Sequence, residues 1–275
     1  MISKNLLQRI ISALMLLPPV VGAIYLGGWW FYGLLLLGGI LMMLEWNRMV
    51  SSQNPLVDVI TLLPVALLPM IFVLLPQSEA ILSNPMIMII VLALVLGVGT
   101  FIEISKTKSE KHKTVYYSLL GSAYVSSALI ALSWLRSVDE YGLMVLWIFL
   151  NVWAMDVGGY FAGKGIGGPK LSPKISPNKT WAGLIGGIVL AMIISYLFSL
   201  IFTWGDIGKT WVMGGVVALV AQMGDLYESA VKRRFDVKDS GELIPGHGGI
   251  LDRVDGIVSA APFTALVLAL YFALG

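Results

Sequence analysis

Apolar runs of about twenty residues recur along the whole chain, separated by short polar segments. A hydrocarbon core about 30 Å thick needs roughly twenty apolar residues at about 1.5 Å of rise each, so every run has the length of a membrane-spanning helix. Nine spans are predicted, at 10–26, 29–48, 56–75, 84–103, 115–134, 141–162, 181–203, 210–231 and 250–273. The expected fold class is therefore all-α, a polytopic integral membrane protein. A transmembrane barrel would show short segments of alternating polarity, and none is evident. No soluble domain, linker or internal repeat interrupts the succession. The first run follows Lys4 and Arg9 and so has the charged start of a signal peptide. It continues through Pro18 and Pro19 to Gly27 and Gly28 without a cleavage site, which makes an uncleaved first span the simpler reading.

Composition strengthens this picture. Of 275 residues, 57% are hydrophobic and only 12% charged, where a soluble domain has about 25% charged residues. Mean hydropathy is +0.86. There is no cysteine, which excludes disulfides, thiolate metal sites and Cys nucleophiles. The net charge of +2 says little; the placement of charge says more. With Lys4 and Arg9 inside and the spans alternating, only Arg136 and Lys209 of the 18 Lys and Arg residues fall outside. The positive-inside rule then predicts a cytoplasmic N-terminus and an external C-terminus. Removing one span would scramble the asymmetry, which supports nine. The Lys106–Lys113 loop reads as an anchor facing lipid headgroups.

The two halves differ. Residues 1–135, about five spans, read as structural and lipid-facing. Gly38, Gly39, Pro64, Pro69 and Pro76 are their main features, and Glu45 and Glu103 lie at inner span ends with no role assigned. Residues 136–275, about four spans, carry the chemistry, with a site expected on the cytoplasmic side. On the sixth span Asp156, Tyr160 and Gly163 share a helical face. Asp156 is either a structural anchor or a functional group. The latter is favoured because a lone intramembrane Asp costs about 2.5–3.5 kcal/mol even on insertion scales. The following GKGIGG lacks the residue order of a P-loop and reads as a flexible loop. In SPKISPNKTW, Pro173 and Pro177 punctuate a loop whose Lys174 and Lys179 suit polyanions, although an ordinary positive-inside loop explains them equally well.

Gly224–Asp255 holds five of the nine aspartates, the cluster Lys232, Arg233 and Arg234, and one of two histidines. Asp225, Glu228 or Ser229, and Lys232 fall on one stripe of the eighth span. Asp252 and Asp255 lie three apart on the first turn of the ninth. The first set reads either as an ion-pair ladder or as half of a metal site. If the two helices are neighbours, Asp225 faces Asp252 and Asp255. Carboxylates so clustered repel unless a cation joins them, and all-oxygen ligation favours Mg²⁺ over zinc. Between them, Lys238 adds to the positive charge, while Gly246, Gly248 and Gly249 allow backbone N–H groups near a ligand. His247 is either structural or a donor to phosphate. Mg²⁺, several cations and no evident nucleophile suit phosphoryl or nucleotidyl transfer to a membrane-bound acceptor.

Ser229–Asp255 reads SAVKRRFDVKDSGELIPGHGGILDRVD. It closely resembles the signature of the phosphatidate cytidylyltransferases, the CDP-diacylglycerol synthases, S-x-x-K-R-x4-K-D-x-G-x2-[LIF]-P-x-H-G-G-x-x-D-R-x-D, with every fixed position filled. The resemblance extends to an S-P-x-K-T-W-x-G element, here Ser176, Pro177, Lys179, Thr180, Trp181 and Gly183, and to the Asp156 helix. It thus covers most of the second half, while the first half matches in hydropathy alone. Ala182 departs from the acidic or amide side chain found in many relatives, so that position carries no catalytic expectation.

The resemblance implies that CMP passes from CTP to phosphatidate, giving CDP-diacylglycerol and pyrophosphate in phospholipid biosynthesis, with Mg²⁺ as cofactor. It implies Asp225, Asp252 and Asp255 as metal ligands, with Asp156 or a second cation assisting. Lys232, Arg233, Lys238 and Lys179 would bind the triphosphate and the lipid phosphate. Asp239, Ser240 and His247 would shape the loop or contact nucleotide, and Ser176, Thr180, Gly248, Gly249 and Arg253 complete the expected substrate-binding set. A homodimer is expected at the family level, with no nucleic-acid partner, and the compact chain without a long soluble extension suits a bacterial inner membrane. A CTP-dependent kinase of polyprenol or phytol type shares parts of these motifs, but the complete signature favours the cytidylyltransferase. An ion-coupled transporter using Asp156 and Asp225 would need a repeated architecture. A CDP-alcohol phosphotransferase would need a D-G-x2-A-R run, which is absent.

Overall fold

The computed structural model describes residues 15, 17–50, 52, 54–74, 110–243 and 248–274. Eight helices account for most of them: α1 (Leu17–Leu26), α2 (Gly28–Met49), α3 (Pro55–Leu74), α4 (Glu110–Ser137), α5 (Leu143–Gly165), α6 (Trp181–Phe202), α7 (Ile207–Arg234) and α8 (Leu251–Leu274). Of these, α2, α5, α6, α7, α8 and the Lys113–Ser137 part of α4 are long and apolar enough to cross a membrane, whereas α1 and the apolar stretch Pro55–Met70 of α3 are shorter. The protein is an all-α polytopic membrane protein. The predicted span at 84–103 and the start of the first span lie outside the described residues, as do Lys4, Arg9, Glu103 and His247.

Local signals set the helix ends. The Thr180 hydroxyl accepts from Gly183 N at 3.0 Å and caps α6, and Asp206 accepts from Lys209 N at 3.1 Å and caps α7. Such caps satisfy amides that the helix itself leaves orphaned. At the other end of α7 lie Lys232, Arg233 and Arg234, where the helix dipole favours cations. Arg136, predicted on the outer side, donates to the Ile24, Tyr25 and Asp139 carbonyls and so ties the end of α1 to the α4–α5 turn.

Helices α5, α6, α7 and α8 pack in chain order, each on the next, and α4 lies against both α3 and α8. The α5–α6 contact is made of glycines: a Cβ on Gly158 would stand 2.7 Å from Gly186 O and 2.9 Å from Gly187 Cα. A polar seam runs through the first half. Ser122 donates to Thr61 O at 2.7 Å, Asn47 to Thr61 Oγ1 at 3.0 Å, and Trp46 to Tyr117 O at 2.7 Å. Buried polar groups in such a protein must find partners among themselves.

The stretch between α5 and α6 corrects one expectation. Read as a loop, it forms an antiparallel hairpin, β1 (Lys170–Ser172) with β2 (Ser176–Thr180), pairing Lys170 with Thr180 and Ser172 with Ser176. Pro173 falls in the turn, where it withholds no ladder amide. Pro177 lies within β2 of this two-stranded ribbon, where every strand has a free edge. Lys179 is thereby held on a defined strand.

Candidate active site

The α7–α8 crossing determines what can meet. Gly224 lies against Ser259 and the Asp255 carbonyl, where a larger residue would collide. That close approach puts Asp225 beside the first turns of α8. Asp255 lies in the electrostatic field of Asp225, Glu228 and Asp156, and Asp156 in that of Asp225, Lys179 and Arg253. Asp156, Asp225 and Asp255, from three different helices, thus influence one another electrostatically. Lys179 comes from β2 and makes an ion pair with Asp225. Ser229, one turn on, donates to Asp225 Oδ1 at 3.3 Å.

Asp252 is placed differently from expectation. Its Oδ1 takes the Lys232 ammonium at 2.6 Å, and its Oδ2 accepts from Ser240 N at 2.8 Å and Gly249 N at 2.9 Å. Both oxygens are thus engaged in holding the protein together. Gly248 is left-handed, with φ of 81°, and a side chain there would press on Asp252 Oδ2, so both the backbone and the space require glycine. Among the described residues no group of three carboxylates or imidazoles stands close enough to hold a metal ion, so the predicted trio of Asp225, Asp252 and Asp255 is not assembled as one ligand set.

Lys232 also departs from expectation. It is buried between Asp252 and Glu228, 3.1 Å from the latter, and Glu228 is 0% exposed. It neutralises carboxylates within the protein and presents no open ammonium to a phosphate in this arrangement. The other sequence candidates divide. Arg233 is exposed and donates to Val237 O at 2.8 Å, closing the end of α7. Lys238, Asp239 and Arg253 are exposed, Ser176 is half-buried, and Gly249 is buried. Thr180 is buried as the α6 cap described above. Ser240 is buried and donates to Glu45 Oε2 at 3.3 Å.

Glu45 is the residue that sequence reasoning missed. From the last turns of α2 it accepts from Ile250 N and Leu251 N, both at 2.9 Å, and it is 4% exposed. Its position carried one signal: a carboxylate near a helix C-terminus opposes the helix dipole and needs a partner elsewhere. Tyr124, also from the first half, donates from its hydroxyl to Asp255 O at 3.1 Å.

The donor chemistry fits a hard cation. Five carboxylates (Asp156, Asp225, Glu228, Asp252 and Asp255) face three cations (Lys179, Lys232 and Arg253) among the described residues. Carboxylates outnumber the cations around them, and oxygen donors suit Mg²⁺. With Asp252 engaged by the protein, Asp225, Asp255 and Asp156 are the carboxylates that would have to draw together around such an ion, since they do not stand as a ready ligand group here.

Comparison with known proteins gives a consistent picture. The family model described as the cytidylyltransferase family matches residues 7–271. A phosphatidate cytidylyltransferase of Brucella suis is 45% identical over 153 residues, 55% of this chain and 56% of that protein. One from Bacillus subtilis is 40% identical over 162 residues, covering 57% of this chain and 59% of its own length. One from Rickettsia bellii is 36% identical over 188 residues, 66% of this chain and 80% of that protein. The chain thus spans little more than half the length of the Brucella and Bacillus relatives.

Proposed function

This chain belongs to the cytidylyltransferase family, and on that premise we propose that it transfers CMP from CTP to phosphatidate, forming CDP-diacylglycerol and pyrophosphate. The observation that carries the reading is the Lys179–Asp225 ion pair. It joins the Ser176–Gly183 element before α6 to α7 one turn ahead of the longer signature at Ser229, bringing both stretches to a single polar site on a membrane protein. A phosphatidate oxygen attacks the α-phosphorus of CTP. A phosphorus–oxygen bond forms there, the α–β phosphoanhydride bond breaks, and pyrophosphate leaves. Phosphatidate is already an anion, so a strong general base is unnecessary; bringing two polyanions together is the harder task.

Charge and position assign the roles. Mg²⁺ would be held by Asp225 and Asp255 with Asp156 adjacent, and when bound it supplies neutralisation of developing phosphate charge. Asp252 acts as a positioning residue, holding Lys232, Ser240 and Gly249 in register. Lys179, Arg253, Lys238 and Arg233 meet the phosphates, Asp239 and Ser176 shape the approach of nucleotide, and Lys232 balances the buried carboxylates. The homodimer, the second cation, and a cytoplasmic face on a bacterial inner membrane belong to the same proposal. The bacterial relatives support the membrane, and the inside bias of Lys and Arg supports the face.

The test is direct. Purified protein in lipid is given phosphatidate, Mg²⁺ and CTP labelled at the α- or the γ-phosphate. Label from the α-position should enter lipid with release of pyrophosphate. Transfer of the γ-phosphate to an alcohol would replace this reading with a kinase.

A further inference from the structure

The first half of the chain contributes one charged side chain to the neighbourhood of the α8 N-terminus that none of the expected roles covers. Glu45 is buried, lies near the C-terminal end of α2, and is separated by 195 to 206 residues from each group it binds. Both of its oxygens are used: Oε1 accepts from Ile250 N, and Oε2 from Leu251 N and the Ser240 hydroxyl. Amides in a helix's first turn have no acceptor within the helix. Here those of α8 find one on another helix. The space around the carboxylate is closed, because a Cβ on Gly241 or Gly249 would run into it.

Asp252 performs the matching task from the other side. It accepts the backbone amides of Ser240 and Gly249 through one oxygen. Two carboxylates, one from each half of the chain, therefore fasten Ser240 against residues 249–251. Arg253 and Asp255 follow within one turn on the same helix. The placement of those two side chains relative to Asp225 and Lys179 depends on where α8 starts.

We propose that Glu45 is a positioning residue for the transfer reaction: it fixes the start of α8, and through it Asp255 and Arg253, against α7. The proposal rests on the reading above for its effect on turnover, but not for its structural effect. A displacement near 1 Å in a catalytic group can lower turnover about 100-fold. Glu45→Gln keeps the size of the side chain but turns one acceptor into a donor facing a backbone N–H. It should lower kcat about 100-fold while KM for CTP changes less than about 3-fold, the pattern of a lost interaction that matters in the transition state.

Hydrogen–deuterium exchange separates this proposal from the assignment of function. In wild-type protein in lipid nanodiscs, the amides of Ile250 and Leu251 should be protected although they lie at the start of α8, where no acceptor within the helix reaches them. Glu45→Gln should accelerate their exchange at least about 10-fold and leave the middle of α5 and α6 unchanged. Fast exchange at both amides in wild-type protein overturns the proposal whatever the variant does, including failing to fold. Unchanged exchange in a folded variant overturns it too, as does accelerated exchange with wild-type kcat. If wild-type protein moves no CMP to phosphatidate while the exchange pattern appears as expected, the structural clamp stands and the functional reading fails.

Discussion

Where α5 meets α6, the contact is made of missing side chains; where α7 meets α8, it is made of charged ones. Gly158, Gly186 and Gly187 let two backbones touch, with no polar group needed at the closest point. Membrane helices gain little from hydrophobic burial against each other, and close backbone approach is one of the few ways they have to associate. The α7–α8 crossing also has a glycine at its closest point, Gly224. Around it, however, lie Asp225, Glu228, Lys232, Asp252 and Asp255, each of which is costly to desolvate. Replacing such a network by apolar side chains is often neutral or stabilising. The charged seam is therefore hard to explain as a fastening and easy to explain as a site. The glycine seam is the reverse, a support that places Asp156 on α5 and Lys179 before α6 beside that site.

The strongest way to break the contrast is at its buried cation. Lys232→Met leaves Glu228 and Asp252 facing each other without their shared ammonium, and should destabilise the protein by about 3–5 kcal/mol. Adding Glu228→Gln should restore part of that loss, since one uncompensated charge is removed. Unfolding of both variants in the same detergent measures the difference. A Lys232→Met protein as stable as wild type would mean that the seam is not a coupled ionic unit.

Asp255→Asn and Asp225→Asn test the seam as a site. Each should lower turnover at least about 10³-fold, about 4 kcal/mol of barrier, in protein that stays folded. Mg²⁺ binding followed by calorimetry should weaken in parallel. Asp252→Asn sharpens the division between ligand and positioning residue. The amide oxygen can still accept from Ser240 N and Gly249 N, but its NH2 then faces the Lys232 ammonium, so positioning is disturbed and turnover should fall while Mg²⁺ affinity holds. Near-wild-type rates in Asp225→Asn or Asp255→Asn would remove that residue from the proposed ligand set.

At the glycine seam the effect should be smaller and purely mechanical. Gly187→Val forces a branched side chain into the Met155 backbone and side chain. Overpacking of this kind costs about 1–3 kcal/mol, read as a lower unfolding midpoint with turnover reduced only as α5 shifts. A loss of turnover as large as that of Asp255→Asn would mean that the two seams are not distinct in kind.

The two seams also differed in how far they could be read beforehand. Spans predicted at 181–203, 210–231 and 250–273 lie close to α6, α7 and α8 because apolar runs and their capping residues are local signals. That Asp225 faces Asp252 and Asp255 follows from helical spacing plus one assumption, that α7 and α8 are neighbours, and the two helices do pack on each other. The job of Asp252 did not follow, because it depends on the backbone of Ser240 and Gly249, whose direction no periodicity encodes. Lys232 looked like a phosphate ligand because sequence shows its charge but not its burial. Glu45 was beyond reach for the same reason at longer range, its partners lying some 200 residues away. The hairpin that carries Lys179 was hidden by two prolines, which read as loop punctuation although neither blocks this short ladder.

The smallest effect is expected where the two seams join. Thr180 ends β2, one residue after Lys179, and its hydroxyl accepts from Gly183 N to start α6. It also stands at the glycine contact, because a Cβ on Gly163 or Gly183 would come within 3.1 or 3.2 Å of its Oγ1. The sequence motif suggested that Thr180 binds substrate, whereas its buried hydroxyl is committed to the cap. Thr180→Ala should cost about 1 kcal/mol of stability, the usual loss for a missing N-cap, and Thr180→Ser should restore it. Turnover and KM for CTP should change by less than about 3-fold in both, because Lys179 remains anchored by Asp225. A large rise in KM for Thr180→Ala, reversed in Thr180→Ser, would return the hydroxyl to the substrate and make the α6 cap part of the charged site.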